Sequence, residues 1–588
     1  MKLHPSATAL LLLAAHAMIA PAGGIPNCPY PGPAFPKPSS LASSDAIKTA
    51  MANLTATFNA RGTDSVNNPN GTSWSIQVFS ASDTDDDTPL WSHYHTATEL
   101  LTANTPGVKS VNGDTVYRLG SVTKIFTILT FLIEAGDTYW NAPVTQWVPE
   151  LELLSGKAQY DPIMNVDWDS VTLQDLASHL AGIVRDYAIE GELTQENNQT
   201  VLETKGFPPA SLNETPICGE AIKCPRAEFF TGLANVPPSF SPSWTAGYSN
   251  MGYQILAYAL QAITKKEFAP MLQSDIIDKL GLRKTFYQKP DDALGVIPEG
   301  HEDDWSYSIG EASPTGNMYS SAGDLSRLGR AIFRNTLLKP ALTRRWLKPT
   351  ALTSDIHEGV SSPWGIRRIP LSDGSRVVDA YSKAGSINVY MSLLVLLPDY
   401  NVGITALLAG GWPGNANWDI ADTIGKALLP ALEDAAREEA DANYAGTYTA
   451  QDADLNSTLV LSTDPSRPGL GIDKWISNGT DMIPVAVRYT LNYNVTGPSI
   501  RMYPTGLETA TAAADGTRKI AFKAVVENLD LPDRSQAMFS TNCGTWVSQT
   551  AAVYADMPLD QFVFTLGSDG KAVSVTPLAL RTALMRNG

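Results

Sequence analysis

The sequence predicts a mixed α/β protein of the α+β kind. It reads as a central antiparallel sheet flanked by helices, followed by a C-terminal all-β, barrel-like domain. Three observations carry this reading. A chain of 588 residues is too long for one hydrophobic core, so two domains are expected. Two apolar, β-branched runs, Ile387 to Leu397 and Val402 to Leu408, meet around Pro398-Asp399-Tyr400 as an antiparallel hairpin of a buried sheet. Helical apolar spacing recurs in 41–60, after Ser121 and after Met251, whereas beyond about 443 the chain turns to short alternating runs separated by Asn, Gly, Asp and Pro.

In chain order, residues 1–22 hold one lysine, an apolar run from Ala7 to Ala20 and then small residues. The run is too short to span a bilayer and reads as a secretory signal peptide, cleaved between Ala20 and Gly24. No later run suits a membrane helix, so a secreted, extracellular protein is expected. Sequons at Asn53, Asn70, Asn198, Asn213, Asn456, Asn478 and Asn494 agree as glycosylation sites. The four cysteines are an even number for an oxidising compartment. Cys218 with Cys224 is the cheapest pair to close and would leave Cys28 with Cys543; three pairings are open, and the sequence does not choose. A net charge of −18 argues against nucleic acid or an anionic membrane as partner.

Residues 23–69 form a proline-rich arm and a first helix, 70–440 a larger domain and 441–588 the β domain. Ser73 to Ser82 and Leu90 to Thr96 alternate as strands. Tyr117 to Leu129 runs from a strand end through a tight turn into a helix closed by Gly136. Ser121 stands at the start of that helix, with Lys124 on the same face one turn on. A desolvated lysine with a lowered pKa can take the proton of a serine that is otherwise a poor nucleophile, and the helix N-terminus presents N–H groups to a developing oxyanion. Val171 to Gly182 is another helix, capped by Thr172. Residues 185–245 read as a long irregular lid or binding loop.

Two further constellations follow. Tyr248 and Asn250 flank Ser249 at the start of a helix, a tyrosine suited to shuttling protons and an amide suited to holding a carbonyl or a lysine. Lys383 and Gly385 precede the hairpin: the lysine lines a cleft, the glycine admits close backbone approach, and the N–H of Ser386 joins that of Ser121 as an oxyanion donor.

Ser121-x-x-Lys124, Tyr248-x-Asn250 and Lys383-x-Gly385, in that order, resemble the three motifs of the serine β-lactamase and penicillin-binding protein superfamily. "RLGSVTKIFT", "VTLQDLASHLAGI", "GYSNMGYQILAYAL" and "PDYNVGITALLAG" are similar to its class C-like branch of β-lactamases, D-aminopeptidases and esterases, over about 70 to 437. The resemblance implies Ser121 as the acylated nucleophile and Lys124 with Tyr248 as the general base. It also implies Asn250 and Gly385 at the substrate, Lys383 as a positive charge, and the Ser121 and Ser386 amides as oxyanion hole. It implies no metal and no cofactor. His179 matches a histidine of the family and reads as structural. Lys-Ala-Gly lacks the hydroxyl of Lys-Thr-Gly, which favours an ester, lactone or other amide over efficient β-lactam hydrolysis. The expected function is a secreted serine hydrolase of small molecules. Acyl transfer through the same acyl-enzyme and a silent binding fold are the alternatives.

The β domain has alternating runs at 457–462, 485–493, 498–503, 519–526, 561–565 and 572–576. They predict a barrel or sandwich of about eight strands. The helix from Asn417 to Ala440 before it is expected to break at Pro430.

Overall fold

The structure is a computed structural model that describes residues 28–62, 71–83, 85–211, 214–219, 222–371, 374, 376–411, 415–534, 536–541 and 543–587. The stretch read as a signal peptide and the sequons at Asn70 and Asn213 lie outside the described residues. The chain divides into two compact units. One comprises 39–369 and 379–431; the other comprises the N-terminal arm to Pro38, 370–378 and 432–588.

The first unit is built on a sheet. Its strands are β1 (Ser73–Ser80), β2 (Trp91–His95), β3 (Val116–Arg118), β4 (Tyr319–Ser321), β5 (Ala351–Leu352), β6 (Glu358–Val360), β7 (Gly365–Pro370), β8 (Val377–Ile387), β9 (Tyr390–Leu397) and β10 (Val402–Ala409). Among the described residues, eight of them form one sheet in the order β2-β1-β10-β9-β8-β7-β6-β5, and β3 pairs β4 apart from it. The hairpin is β9 and β10, antiparallel with Val402 opposite Leu397. Every residue of β1 and β10 is buried. A strand covered on both faces needs no polar side, which is why β9 and β10 are continuous apolar runs rather than alternating ones.

The principal helices are α1 (Asp45–Gly62), α2 (Thr123–Ala135), α3 (Leu173–Ala177), α4 (Met251–Thr264), α5 (Ala322–Phe333) and α6 (Ala416–Tyr444). Helix α5 packs on β1 and β10, and α2 packs on α4. Gly136, at φ 63°, closes α2 as expected. Thr172 caps α3 through a reciprocal pair, its hydroxyl accepting from Asp175 N at 3.1 Å and its own N–H reaching Asp175 Oδ2 at 3.0 Å. That helix is shorter than 171–182. The segment 185–245 is less irregular than its composition predicts, since Leu193–Glu196, Gln199–Thr204 and Arg226–Leu233 are helical. Helix α6 does not break at Pro430: it runs through, with Leu428 and Leu432 fully buried on either side. The lost hydrogen bond is outweighed by side-chain burial flanking the proline.

The second unit holds β11 (Gly446–Ala450), β12 (Thr458–Asp464), β13 (Arg467–Ser477), β14 (Thr480–Asp481), β15 (Pro498–Glu508), β16 (Arg518–Asn528), β17 (Val553–Tyr554), β18 (Met557–Pro558), β19 (Gln561–Leu566), β20 (Ala572–Pro577) and β21 (Leu584–Arg586). The order β12-β11-β21-β20-β19-β16-β15-β13 closes, because β12 also pairs β13; β14 is appended, and β17 pairs β18 separately. The expected barrel of about eight strands is therefore present among the described residues. Its core includes Tyr448, Trp475, Phe522, Phe562 and Phe564, each at most 1% exposed.

One expected strand is a helix. Residues 485–493 fall largely in α7 (Met482–Leu491), whose cap Asp481 accepts from Ile483 N at 3.1 Å. Pro484 lies in the first turn, where a missing N–H is harmless, whereas in a strand ladder it would remove a bond. The alternation Val-Ala-Val-Arg-Tyr-Thr yields to that start signal.

Both disulfides form in this unit or within the first: Cys218–Cys224 closes a short loop, and Cys28–Cys543 ties the arm to the segment before β17. No helix among the described residues is long and apolar enough to cross a membrane.

Candidate active site

Ser121 lies in a 3-10 turn, Gly120–Val122, that feeds directly into α2. The turn is fixed by backbone contact with β8. A Cβ at Gly385 would stand 2.0 Å from Leu119 O and 2.8 Å from Ser121 N, and one at Gly120, which has φ 51°, would stand 2.7 Å from Ser386 N. Only glycine at both positions lets these two segments approach so closely. Ser392 on β9 adds a hydrogen bond from its hydroxyl to Leu119 O at 2.5 Å. These approaches bring the backbone at Ser121 close to that at Ser386; Ser121 is half-buried and Ser386 exposed.

Lys124 follows on the first turn of α2 with no exposed surface. Its Nζ is 3.0 Å from Ser121 Oγ, 2.7 Å from Asn250 Oδ1 and 2.7 Å from the carbonyl of Thr315. All three partners are neutral oxygens. Burial without a contacting anion pushes the ammonium from its ordinary 10.5 down to about 7.

Tyr248 and Asn250 reach the serine from the start of α4. The strand-like stretch before that helix is pinned along 179–185: Gly247 N donates to His179 O and Asn250 N to Arg185 O, each at 2.8 Å, and Ser249 Oγ donates to Val184 O at 2.8 Å. Tyr248 Oη then lies 2.6 Å from Ser121 Oγ. Three cations surround the Tyr248 ring, with Lys124 Nζ at 5.1 Å, Lys383 Nζ at 5.3 Å and Arg185 Cζ at 5.0 Å from its centroid. Lys383, on β8 and only 8% exposed, is pushed down to about 8, by burial first and with Lys124 adding repulsion.

His179 packs against Tyr248 with ring centroids 4.5 Å apart and the ring planes tilted by 34°. It ends α3 in the left-handed region at φ 63°, a position glycine usually takes. Its Nδ1 accepts from Ser249 N at 3.2 Å, which assigns the ring proton to Nε2. Burial and the neighbouring lysines hold its pKa well below the ordinary value, so the ring is neutral.

The structure thus brings together Ser121, Lys124, Tyr248, Asn250, Lys383, Gly385 and Ser386. Sequence reasoning missed three contributors: the carbonyl of Thr315, Arg185 and Asp186. Asp186 Oδ2 accepts from Asn250 Nδ2 at 2.9 Å, and its side chain is 9% exposed. Burial raises its carboxyl to about 6. A backbone carbonyl has no sequence signature, and Arg185 and Asp186 belong to no motif. Among the described residues no three His, Cys, Asp or Glu side chains stand close enough to hold a metal ion.

Comparison with known proteins gives the family. The family model described as Beta-lactamase matches residues 71–422, and one described as "Beta-lactamase-like-like, C-terminal domain" matches 436–588. A "Beta-lactamase-like protein" of Arthroderma benhamiae is 29% identical, over 98% of this chain and 99% of its own. A "Probable hydrolase clz13" of Cochliobolus lunatus is 27% identical, over 79% of this chain and 75% of its own. A solved class C β-lactamase aligns with 66% of this chain and 98% of its own at 15% identity, with a TM-score of 0.45. With the first match covering more than half of its length, the chain belongs to the β-lactamase family of hydrolases.

Proposed function

We propose that the protein is an exported serine hydrolase that opens an ester, lactone or amide through an acyl-enzyme on Ser121. The observation that carries the reading is one hydroxyl met by two proton-handling groups, Lys124 Nζ at 3.0 Å and Tyr248 Oη at 2.6 Å. With the Lys124 pKa near 7, roughly half of the molecules hold a free amine at neutral pH. Ser121 Oγ attacks the substrate carbonyl carbon as its proton passes to that amine. The carbonyl electron pair moves onto oxygen, which the amides of Ser121 and Ser386 stabilise. Collapse breaks the bond to the leaving alkoxide or amine, which takes a proton by way of Tyr248 and Lys124. Water then attacks the acyl ester by the same route, freeing the carboxylic acid and returning the Ser121 proton. Lys383 supplies positive charge beside Tyr248.

The Lys-Ala-Gly sequence at 383–385 supports an ester, lactone or simple amide over a β-lactam, because no threonine hydroxyl is there to hold a carboxylate. The apolar leader in 1–22 and the two disulfides support export. On this reading 70–440 is the hydrolase domain and 441–588 an appended β domain.

The test is intact-mass analysis of deglycosylated protein after treatment with a fluorophosphonate or a penicillin. An adduct is expected on the wild type and none on Ser121→Ala, with turnover of ester substrates falling by at least about a thousandfold in the variant. A folded wild type that takes neither probe would sink the reading.

A further inference from the structure

We propose that Asp186 is a positioning residue of this site, fixing through the Asn250 side-chain amide which atom Lys124 meets. The proposal rests on the acyl-enzyme reading above. An asparagine amide is nearly the same shape when turned end for end, so Asn250 does not by itself determine whether its oxygen or its nitrogen faces Lys124. With nitrogen inward, two donors would confront each other and Lys124 would lose one of its three acceptors. Asp186 removes the choice. A carboxylate only accepts, so the end of the amide that faces it must be Nδ2, which lies 2.9 Å from Asp186 Oδ2, and Oδ1 is left at 2.7 Å from Lys124 Nζ.

The carboxylate is itself held in place. Its side chain is 9% exposed, Arg185 Nε stands 3.4 Å from the same Oδ2, and Asn250 N donates to Arg185 O at 2.8 Å, so the two segments are joined twice. Asp186 also acts at a distance, since its negative charge draws the Lys124 pKa upward while Arg185 pushes it down and Glu190 draws it up. Asp186 in turn faces Asn250, Glu190, Arg185 and Lys124, and Tyr248, Tyr253, His179 and Lys383 stand around Lys124 as its other charged and titratable neighbours.

Two substitutions test the tether. Asp186→Ala removes both the acceptor and the charge, and Asp186→Asn keeps an acceptor oxygen while removing the charge. The measurement is the second-order rate of Ser121 acylation by a fluorophosphonate between pH 5 and 9, in the full chain. At pH 8 Asp186→Ala is expected to acylate about ten- to a hundredfold more slowly. Asp186→Asn, whose own amide can also turn end for end, is expected to fall between the wild type and Asp186→Ala, with its acid limb moved to lower pH because the anion that favoured Lys124 ammonium is gone. Folded Asp186→Ala reacting at the wild-type rate with an unmoved acid limb would overturn the proposal. Should Asp186→Ala not fold, a folded Asp186→Asn acylating at the wild-type rate at pH 8 overturns it instead. A readout independent of any probe is the crystal structure of Asp186→Ala. There Lys124 Nζ is expected to leave hydrogen-bond distance of the Asn250 amide, and an unmoved Nζ contradicts the tether. A wild type that takes no probe would refute the acyl-enzyme reading, and the crystal structure would still decide the tether.

Discussion

Two lysines shielded from solvent, one fully buried at the start of α2 and one half-buried on β16 of the barrel, have opposite partners. Lys124 meets a hydroxyl, an amide oxygen and a backbone carbonyl, all neutral. Lys523, with 14% of its side chain exposed, meets the carboxylate of Asp560 at 2.7 Å and Thr550 Oγ1 at 2.7 Å. Asp560 in turn is 5% exposed and also accepts from Thr550 N at 2.8 Å. The pair ties β16 to the segment entering β19. Burial alone does not turn a lysine into a base. What distinguishes the site is that its nearest carboxylate, Asp186, is kept one side chain away, behind the neutral amide of Asn250. An ion pair at contact helps hold a fold, whereas Lys124, buried and kept from contact with a carboxylate, has its pKa drawn down.

The comparison breaks most sharply at the lysines themselves. Lys124→Gln is expected to slow Ser121 acylation on the order of a thousandfold, followed by quenched intact-mass kinetics, while Lys523→Gln leaves the rate per folded molecule where it was. A smaller change converts the first environment into the second. Asn250→Asp places a carboxylate against Lys124 and is expected to raise its pKa by about a unit or more. In the wild type the acylation rate should climb through about pH 7 as Lys124 loses its proton and decline beyond about 8 as Lys383 loses its charge. The variant needs more alkaline solution to free the amine, so its rising limb moves up and the rate at pH 7 falls about tenfold. A rising limb left near 7 would show that Lys124 is not the group being titrated. Smallest in catalytic terms is Asp560→Asn, which leaves Lys523 buried without its anion. It is expected to cost about 3 kcal/mol in denaturant unfolding of the barrel, with acylation unaffected.

Much of the site was legible because its residues come in short local patterns. Ser121 and Lys124 share a helix face by spacing alone, and Tyr248 with Asn250 begins a helix whose apolar side is plain. The reciprocal need for glycine at 120 and 385 was half visible: the sequence shows Gly385 beside a lysine, but not that Leu119 and Ser121 lie against it. Asp186 was invisible because its role depends on a segment without periodicity being pinned to Asn250. In the barrel the alternating runs were readable as strands, yet Val485 to Thr490 alternates just as well and is helical. There a cap at Asp481 and a proline in the first turn outweigh β-propensity. Pro430 misled in the other direction, since burial on both sides carries α6 across it.

The Cys28–Cys543 bond joins residues separated by 515 positions in the sequence. Covalently, residues 28–543 form a closed ring, and β17 to β21 lie in the tail beyond it. A single cut by a protease anywhere between 29 and 542 opens the ring without releasing a piece. Nicked enzyme would therefore migrate as one molecule on a non-reducing gel and fall into two only when thiol is added. A clipped loop is then an injury the molecule can carry without being dismembered.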